Sequence, residues 1–157
     1  MTAVQFIALP HETRKSCRDG ASDTNGQKPK VYISDGSSIP CHHYLNDVEM
    51  GDGYLLLDNP SFPDTQPHAE VGPIFIHSKG CQHFDNSSQV RKMISARNQM
   101  IIRGYSVRNR IVEDTGQLIE TKNIQAAAKH LLKNIQISCL HVRSVSNNCF
   151  QCRIERG

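Results

Sequence analysis

The stretch KNIQAAAKHLLKNI, Lys122 to Ile135, decides the reading of this chain. Ile124, Ala127, Ala128, Leu131, Leu132 and Ile135 fall at i, i+3, i+4, i+7, i+8 and i+11. That spacing lays one apolar stripe along a helix of 3.6 residues per turn. It predicts a helix over about 122–134, with Thr121 or Asn123 as its cap and Lys133-Asn134 at its C-terminal end. The pattern then changes. IQISCLHVRSVSNNCFQCRIE, residues 135–155, reads as a strand to Arg143, a turn over Ser144 to Asn148 and a second strand from Cys149. This is a C-terminal β-hairpin.

Working outward, residues 3–9 form a first strand ended by Pro10, and the polar run 10–29 reads as a long surface loop with room for a short helix. Lys30 to Ser34, Tyr54 to Leu57, Gly72 to His77 and Gln99 to Val107 are strands, the Tyr54 strand a buried one. Leu45 to Met50 is a polar connection and Asn59 to His68 is irregular. Asn109 to Glu113 is expected to pair with the Gln99 strand. Ser88 to Arg97 suits a short helix capped by Ser88. Strands joined mostly by short turns imply an α+β fold: a largely antiparallel sheet with one main helix packed on it.

The chain has 157 residues, 38% hydrophobic and 21% charged, which fits a single globular domain, 1–157. At this size a core forms without metal or disulfide staples. Net charge is +3 and the pI about 8.6, with the basic residues scattered. Nucleic acid is therefore not an expected partner. No stretch reaches the ~20 apolar residues of a membrane span, and Met1 to Pro10 lacks a signal-peptide pattern. The expectation is a cytoplasmic protein whose six cysteines are reduced thiols.

Four stretches occur together and in order. They are Ile39-Pro40-Cys41-His42-His43-Tyr44-Leu45 with Asp47 and Gly51; Gly72-Pro73-Ile74-Phe75-Ile76; Arg103-Gly104-Tyr105; and His141-Val142-Arg143 followed by Asn148-Cys149-Phe150 and Arg156. At this chain length the set resembles the bacterial family catalogued as domain of unknown function 1203. The sequence departs from that pattern at His42, where arginine is typical, at Asn148, where glycine is usual, and at Ser106, where an acidic residue is frequent. The resemblance implies no activity.

The residues themselves nominate a site. Cys41 is flanked by histidine, and an imidazolium lowers a thiol pKa. A buried thiol packed as a small hydrophobe is the leading account of it, ahead of a polar ligand-binding role or a reactive or metal-bound thiol. His141 and Arg143 share one strand face, expected to continue Ile135, Ile137 and Cys139, and can grip a carboxylate or phosphate. A core His beside a solvated Arg is the competing account. Ligand-binding candidates are thus Cys41, His42, Tyr105, His141, Arg143 and Cys149. Cys149 and Cys152 are three apart on a strand and face opposite ways. His77, Cys81 and His83 match no zinc spacing. No metal or cofactor is expected.

Three functions are compatible: a binding module for a small anionic ligand or protein partner, an enzyme built on Cys41, His42 and His141, and an interaction protein without a pocket. The first is preferred. The absence of a Gly-rich phosphate loop, Gly-x-Ser-x-Gly and His-Glu-x-x-His lowers the second.

Overall fold

The structure is a computed structural model that describes residues 3–82, 84 and 87–157. In chain order it contains β1 (Val4–Ile7), α1 (His11–Arg18), β2 (Val31–Ile33), β3 (Pro40–Cys41), β4 (Asn46–Asp47), β5 (Gly53–Pro60) and β6 (Val71–His77). There follow α2 (Lys92–Ser95), β7 (Gln99–Tyr105), β8 (Gln117–Glu120), α3 (Ile124–Leu131), β9 (Cys139–Arg143) and β10 (Phe150–Arg156). A five-stranded sheet runs β1-β10-β9-β7-β8, a three-stranded sheet β2-β5-β6, and β3 and β4 form a small hairpin. All of these pairings are antiparallel. Among the described residues, no helix is long and apolar enough to cross a membrane.

The predicted main helix and C-terminal hairpin are both present. The helix is shorter than 122–134, because Thr121–Asn123 wind as a 3-10 turn and the α-helix ends at Leu131. Neither Thr121 nor Asn123 caps it through a side chain; the Thr121 hydroxyl instead donates to the Arg97 carbonyl at 2.5 Å. The C-terminal end is held by Arg156, whose guanidinium donates to the carbonyls of Leu132, at 3.0 and 2.8 Å, and Asn134, at 3.0 Å. A cation on unpaired terminal carbonyls satisfies both their hydrogen bonding and the helix dipole.

The large sheet has two unlike faces, as period-2 alternation requires. Ile124, Ala128 and Leu132 of the helical segment pack on Val4, Phe6, Met100, Ile102, Leu140, Val142 and Ile154, all buried. The opposite face carries Arg103 and Tyr105 from β7, His141 and Arg143 from β9 and Arg153 from β10. The register places Arg153 opposite His141 and His141 opposite Arg103. A second core of Leu9, Cys41, Val48, Leu55, Leu57, Ile74 and Ile76 lies under the smaller sheet.

The short helix for which the 10–29 run had room is present as α1, almost wholly polar and without an apolar stripe; Arg14 is its buried residue. Several other expectations are corrected. Pro40–Cys41 and Asn46–Asp47 pair where a plain connection was expected. The strand around Tyr54 is amphipathic, with Leu55 and Leu57 buried and Leu56 exposed. The short helix begins at Lys92, not Ser88, and has no side-chain cap. Asn109 and Asp114 take positive φ, which turns the 109–113 segment away after a single bridge, Tyr105 to Ile111. The strand that takes the edge of β7 not covered by β9 is β8. Ile135 does not continue the face of His141: it lies in the turn after the helix and is exposed, while Ile137 is buried.

Gly104 lies in the Arg103-Gly104-Tyr105 stretch for a packing reason. A Cβ there would stand 3.1 Å from the Thr115 hydroxyl and 3.2 Å from the Ile137 Cδ1, and Thr115 accepts the Gly104 N–H at 2.9 Å. Gly104→Ala should therefore destabilise by about 1 kcal/mol through overpacking. A chemical denaturation midpoint equal to wild type would reject this account.

Candidate functional site

The polar face of the large sheet gathers three of the nominated residues. His141 is 1% exposed and is enclosed by rings: Tyr105 at 4.5 Å between centroids, Phe62 at 4.7 Å and Phe150 at 4.9 Å. Among the described residues, neither of its ring nitrogens has a hydrogen-bond partner. Burial, followed by the charges of Arg153, Arg143 and Arg103, pushes its pKa down to about 3. The ring is therefore neutral at physiological pH. Tyr105 is buried as well, and its hydroxyl accepts from Arg103 Nε at 3.0 Å. Desolvation raises its pKa.

Arg143 anchors the face. Its Nε donates to Asn148 Oδ1 and its Nη2 to the Asn148 carbonyl, each at 2.7 Å. Nη2 also lies 2.7 Å from Glu70 Oε2, and Arg103 Nη2 lies 3.3 Å from Glu70 Oε1. One carboxylate thus serves two guanidiniums. The Arg143 side chain is 7% exposed while Glu70 is 40% exposed, so the cation is fixed and the carboxylate is the partner open to exchange. Arg143 Nη1 is buried and unpaired. Beside it lies a depression of about 340 Å³ lined by Ser61, Glu70, Gly72, Arg143, Asn148 and Cys149, among others. A wider depression of about 800 Å³ lies over Ser106–Arg108 and Ile111–Glu113 and holds none of the nominated residues.

Cys149 reaches the rim because Asn148, at φ 53°, turns the chain there. Cys152 packs in the main core, so the two sulfurs of this Cys-x-x-Cys do not form a pair. His42 is buried behind Phe150. Its Nδ1 accepts from the Phe75 N–H at 3.0 Å and its Nε2 donates to the Phe150 carbonyl at 2.6 Å. Burial lowers its pKa, and both nitrogens are committed. His42 is a strut joining β3, β6 and β10 rather than a group free to touch a ligand.

Cys41 belongs elsewhere. Successive residues of extended chain face opposite ways, and Cys41 points into the smaller core, where it is fully buried. Its Sγ is 3.9 Å from Cys81 Sγ, and one donor atom each of Cys41, His77 and Cys81 lie within 4.8 Å of one another. His43 Nδ1 is 3.2 Å from Cys81 Sγ. Hydrogen bonding from Cys81, and then from His77, holds Cys41 well below the usual thiol range. The same contact pushes Cys81 up, and the Cys41 contact raises His77.

Linear spacing had offered His77, Cys81 and His83 as a set matching no zinc pattern. The fold supplies Cys41 as the companion of the first two; His83 lies outside the described residues. Sequence reasoning missed Glu70, Arg103, Arg153 and Phe62. The alternation of β7 and β10 was the available signal for the two arginines, while Glu70 and Phe62 arrive from an irregular segment without periodicity.

No curated protein and no solved structure matches the chain. The family described as "Protein of unknown function (DUF1203)" matches residues 38–156. That span contains all four stretches of the expected set and every residue of both clusters, and on it the chain belongs to the DUF1203 family.

Proposed function

We propose that the chain is a small binding module for an anionic ligand bearing a carboxylate or phosphate, seated in the depression beside Arg143. The observation that carries this reading is the state of Arg143: among the described residues, a buried guanidinium with one nitrogen lacking a partner, beside an open hollow, whose one carboxylate partner is shared with Arg103 and half in solvent. A planar fork of donors suits bidentate capture of an oxyanion. Arg103 adds a second positive charge, and Glu70 occupies the position an incoming carboxylate would take. Phe150, which also lines the depression, supports an apolar or ring-bearing body on the ligand. The six cysteines are all free thiols, which supports a reducing compartment, the cytoplasm, as the place where this binding occurs.

Calorimetric titration with inorganic phosphate, citrate and a nucleoside monophosphate tests the reading. Saturable binding of at least one is expected, weakened in Arg143→Lys, which keeps the charge and loses the fork. Glu70→Gln releases both guanidiniums from their resident carboxylate and should tighten binding about ten-fold, a gain of about 1.4 kcal/mol. No saturable binding to any of the three, or equal affinity in wild type and Glu70→Gln, would overturn it.

A further inference from the structure

We propose that Cys41, His77 and Cys81 form a binding site for a thiophilic divalent metal ion of the zinc class, with His43 at the fourth position. This inference uses no residue of the anion hollow, so the two stand or fall separately.

Geometry comes first. Two sulfurs each about 2.3 Å from a tetrahedral zinc stand about 3.8 Å apart. Cys41 and Cys81 are separated by 3.9 Å, against roughly 2.05 Å for a disulfide. A sulfur and an imidazole nitrogen on the same ion stand about 3.5 Å apart. His43 Nδ1 is 3.2 Å from Cys81 Sγ, and the His77 donor lies within the 4.8 Å circle of the two sulfurs. The donors grouped within 4.8 Å are those of Cys41, His77 and Cys81, and His43 joins them through its contact with Cys81.

The surroundings fit the ligand chemistry. A ligating imidazole commonly uses its second nitrogen on a nearby acceptor, which fixes the ring. His43 Nε2 is 3.4 Å from His11 Nδ1, so binding through Nδ1 leaves Nε2 to donate to His11. Among the described residues, His77 Nδ1 is buried without a hydrogen-bond partner, a spare nitrogen that a metal, or a partner recruited on metal binding, would satisfy. Two thiolates balance a divalent ion, and Arg14, itself buried, stands beside Cys81 with its Nη2 donating to the Lys79 carbonyl at 2.5 Å. A guanidinium there stabilises thiolate. Soft sulfur with imidazole selects zinc, and cobalt as its spectroscopic stand-in, over magnesium or calcium.

The fold explains the placement. Cys41 ends β3, His77 ends β6, and Cys81 follows four residues on. The His42 N–H donates to the Phe75 carbonyl at 2.9 Å, which holds the β3–β4 hairpin against β6 and brings the two ends together. Cys41 is fully buried while His77 and Cys81 are partly exposed, so the centre is reachable from one side.

The test uses the full chain, stripped with chelator under reductant and titrated with Co2+ and then Zn2+. One equivalent of Co2+ should give sulfur-to-cobalt charge-transfer absorption with the visible bands of a tetrahedral ion, and one equivalent of Zn2+ should abolish them. Cys81→Ser and His77→Ala, at partly exposed positions that tolerate change, should each lose or weaken the spectrum while far-ultraviolet circular dichroism stays native. Cys17→Ser and Cys149→Ser should leave it unchanged. Zinc should also shield Cys41 and Cys81, and no other cysteine, from alkylation read by mass spectrometry. A folded wild-type chain with no cobalt spectrum would overturn the site. So would a spectrum that survives Cys81→Ser, or a Cys41–Cys81 disulfide formed in oxidised glutathione at the same rate with and without zinc.

Discussion

Replacing Arg143 with alanine is expected to cost about 2–3 kcal/mol of folding stability at pH 7. The residue is the most deeply buried of the three arginines on the polar face of the large sheet. Its two bonds to Asn148, both 2.7 Å, come from a charged donor, and a bond of this kind is worth about 1.5–3 kcal/mol; Asn148 is exposed and regains water, so the two together count as about one such bond. They also hold Asn148 at φ 53°, a left-handed conformation that closes the β9–β10 turn and that non-glycine residues adopt only when held. The bridge to Glu70 contributes less, because that carboxylate is 40% exposed and recovers water when its partner is removed. This is why the expected figure falls below the roughly 3–5 kcal/mol of a fully buried pair. Urea denaturation measures it. A loss under about 0.5 kcal/mol would be the behaviour of an idle surface arginine and would remove the basis for an anion site built on it.

Arg143 also marks how far the sequence could be read. The helix stripe from Ile124 and the hairpin around Ser144 to Asn148 were legible because each is a local period, and local periods survive translation into structure. His141 and Arg143 on one face of β9 followed from the same alternation. Their neighbours across the sheet did not, since strand order is a tertiary fact: β9 lies between β7 and β10, and only that order sets Arg103 and Arg153 on either side of His141. The thiol cluster was illegible for a related reason. His77 and Cys81 drew notice by proximity in the chain, but Cys41 lies 36 and 40 positions away and arrives by hairpin packing. His42 shows the opposite error. Its neighbour Cys41 suggested a shared chemistry, yet alternation sends the two side chains into different cores, where His42 spends both nitrogens on backbone.

The family stretches divide in the same way. Gly104 is explained by the close approach of Thr115 and Ile137, and Arg156 by the open end of α3. Asp47 is explained by its bridge to Arg97 at 3.2 Å. These are structural duties. Cys41 and His141 carry no such duty, and Arg143 keeps its Nη1 beyond the bonds that close the β9–β10 turn; Cys41 and Arg143 are the residues on which the two proposed sites rest.

His141→Phe is expected to remove a large part of the acid sensitivity of this protein. The native imidazole has its pKa lowered to about 3, whereas the unfolded chain titrates near 6.5. Below about 6.5 the unfolded state therefore binds a proton that the native state refuses, so stability rises with pH. The contribution is complete above 6.5 and is lost as pH falls, by about 1.4 kcal/mol for each pH unit, until the native ring itself protonates near 3. At pH 5 this group alone costs wild type about 2 kcal/mol relative to pH 7. Phenylalanine fits a cage already made of Phe62, Tyr105 and Phe150 and leaves no ring nitrogen unpaired, so the variant should be at least as stable as wild type at pH 7. Its advantage should then grow by about 2 kcal/mol by pH 5, as urea midpoints at the two pH values would show. His42, whose pKa is also lowered by burial, contributes to the slope in both proteins and cancels in the comparison. An advantage that stays constant between pH 7 and pH 5 would mean that His141 accepts its proton in the folded state. A protonated ring among Arg103, Arg143 and Arg153 requires a neutralising anion or water at the ring, in place of the closed aromatic surround.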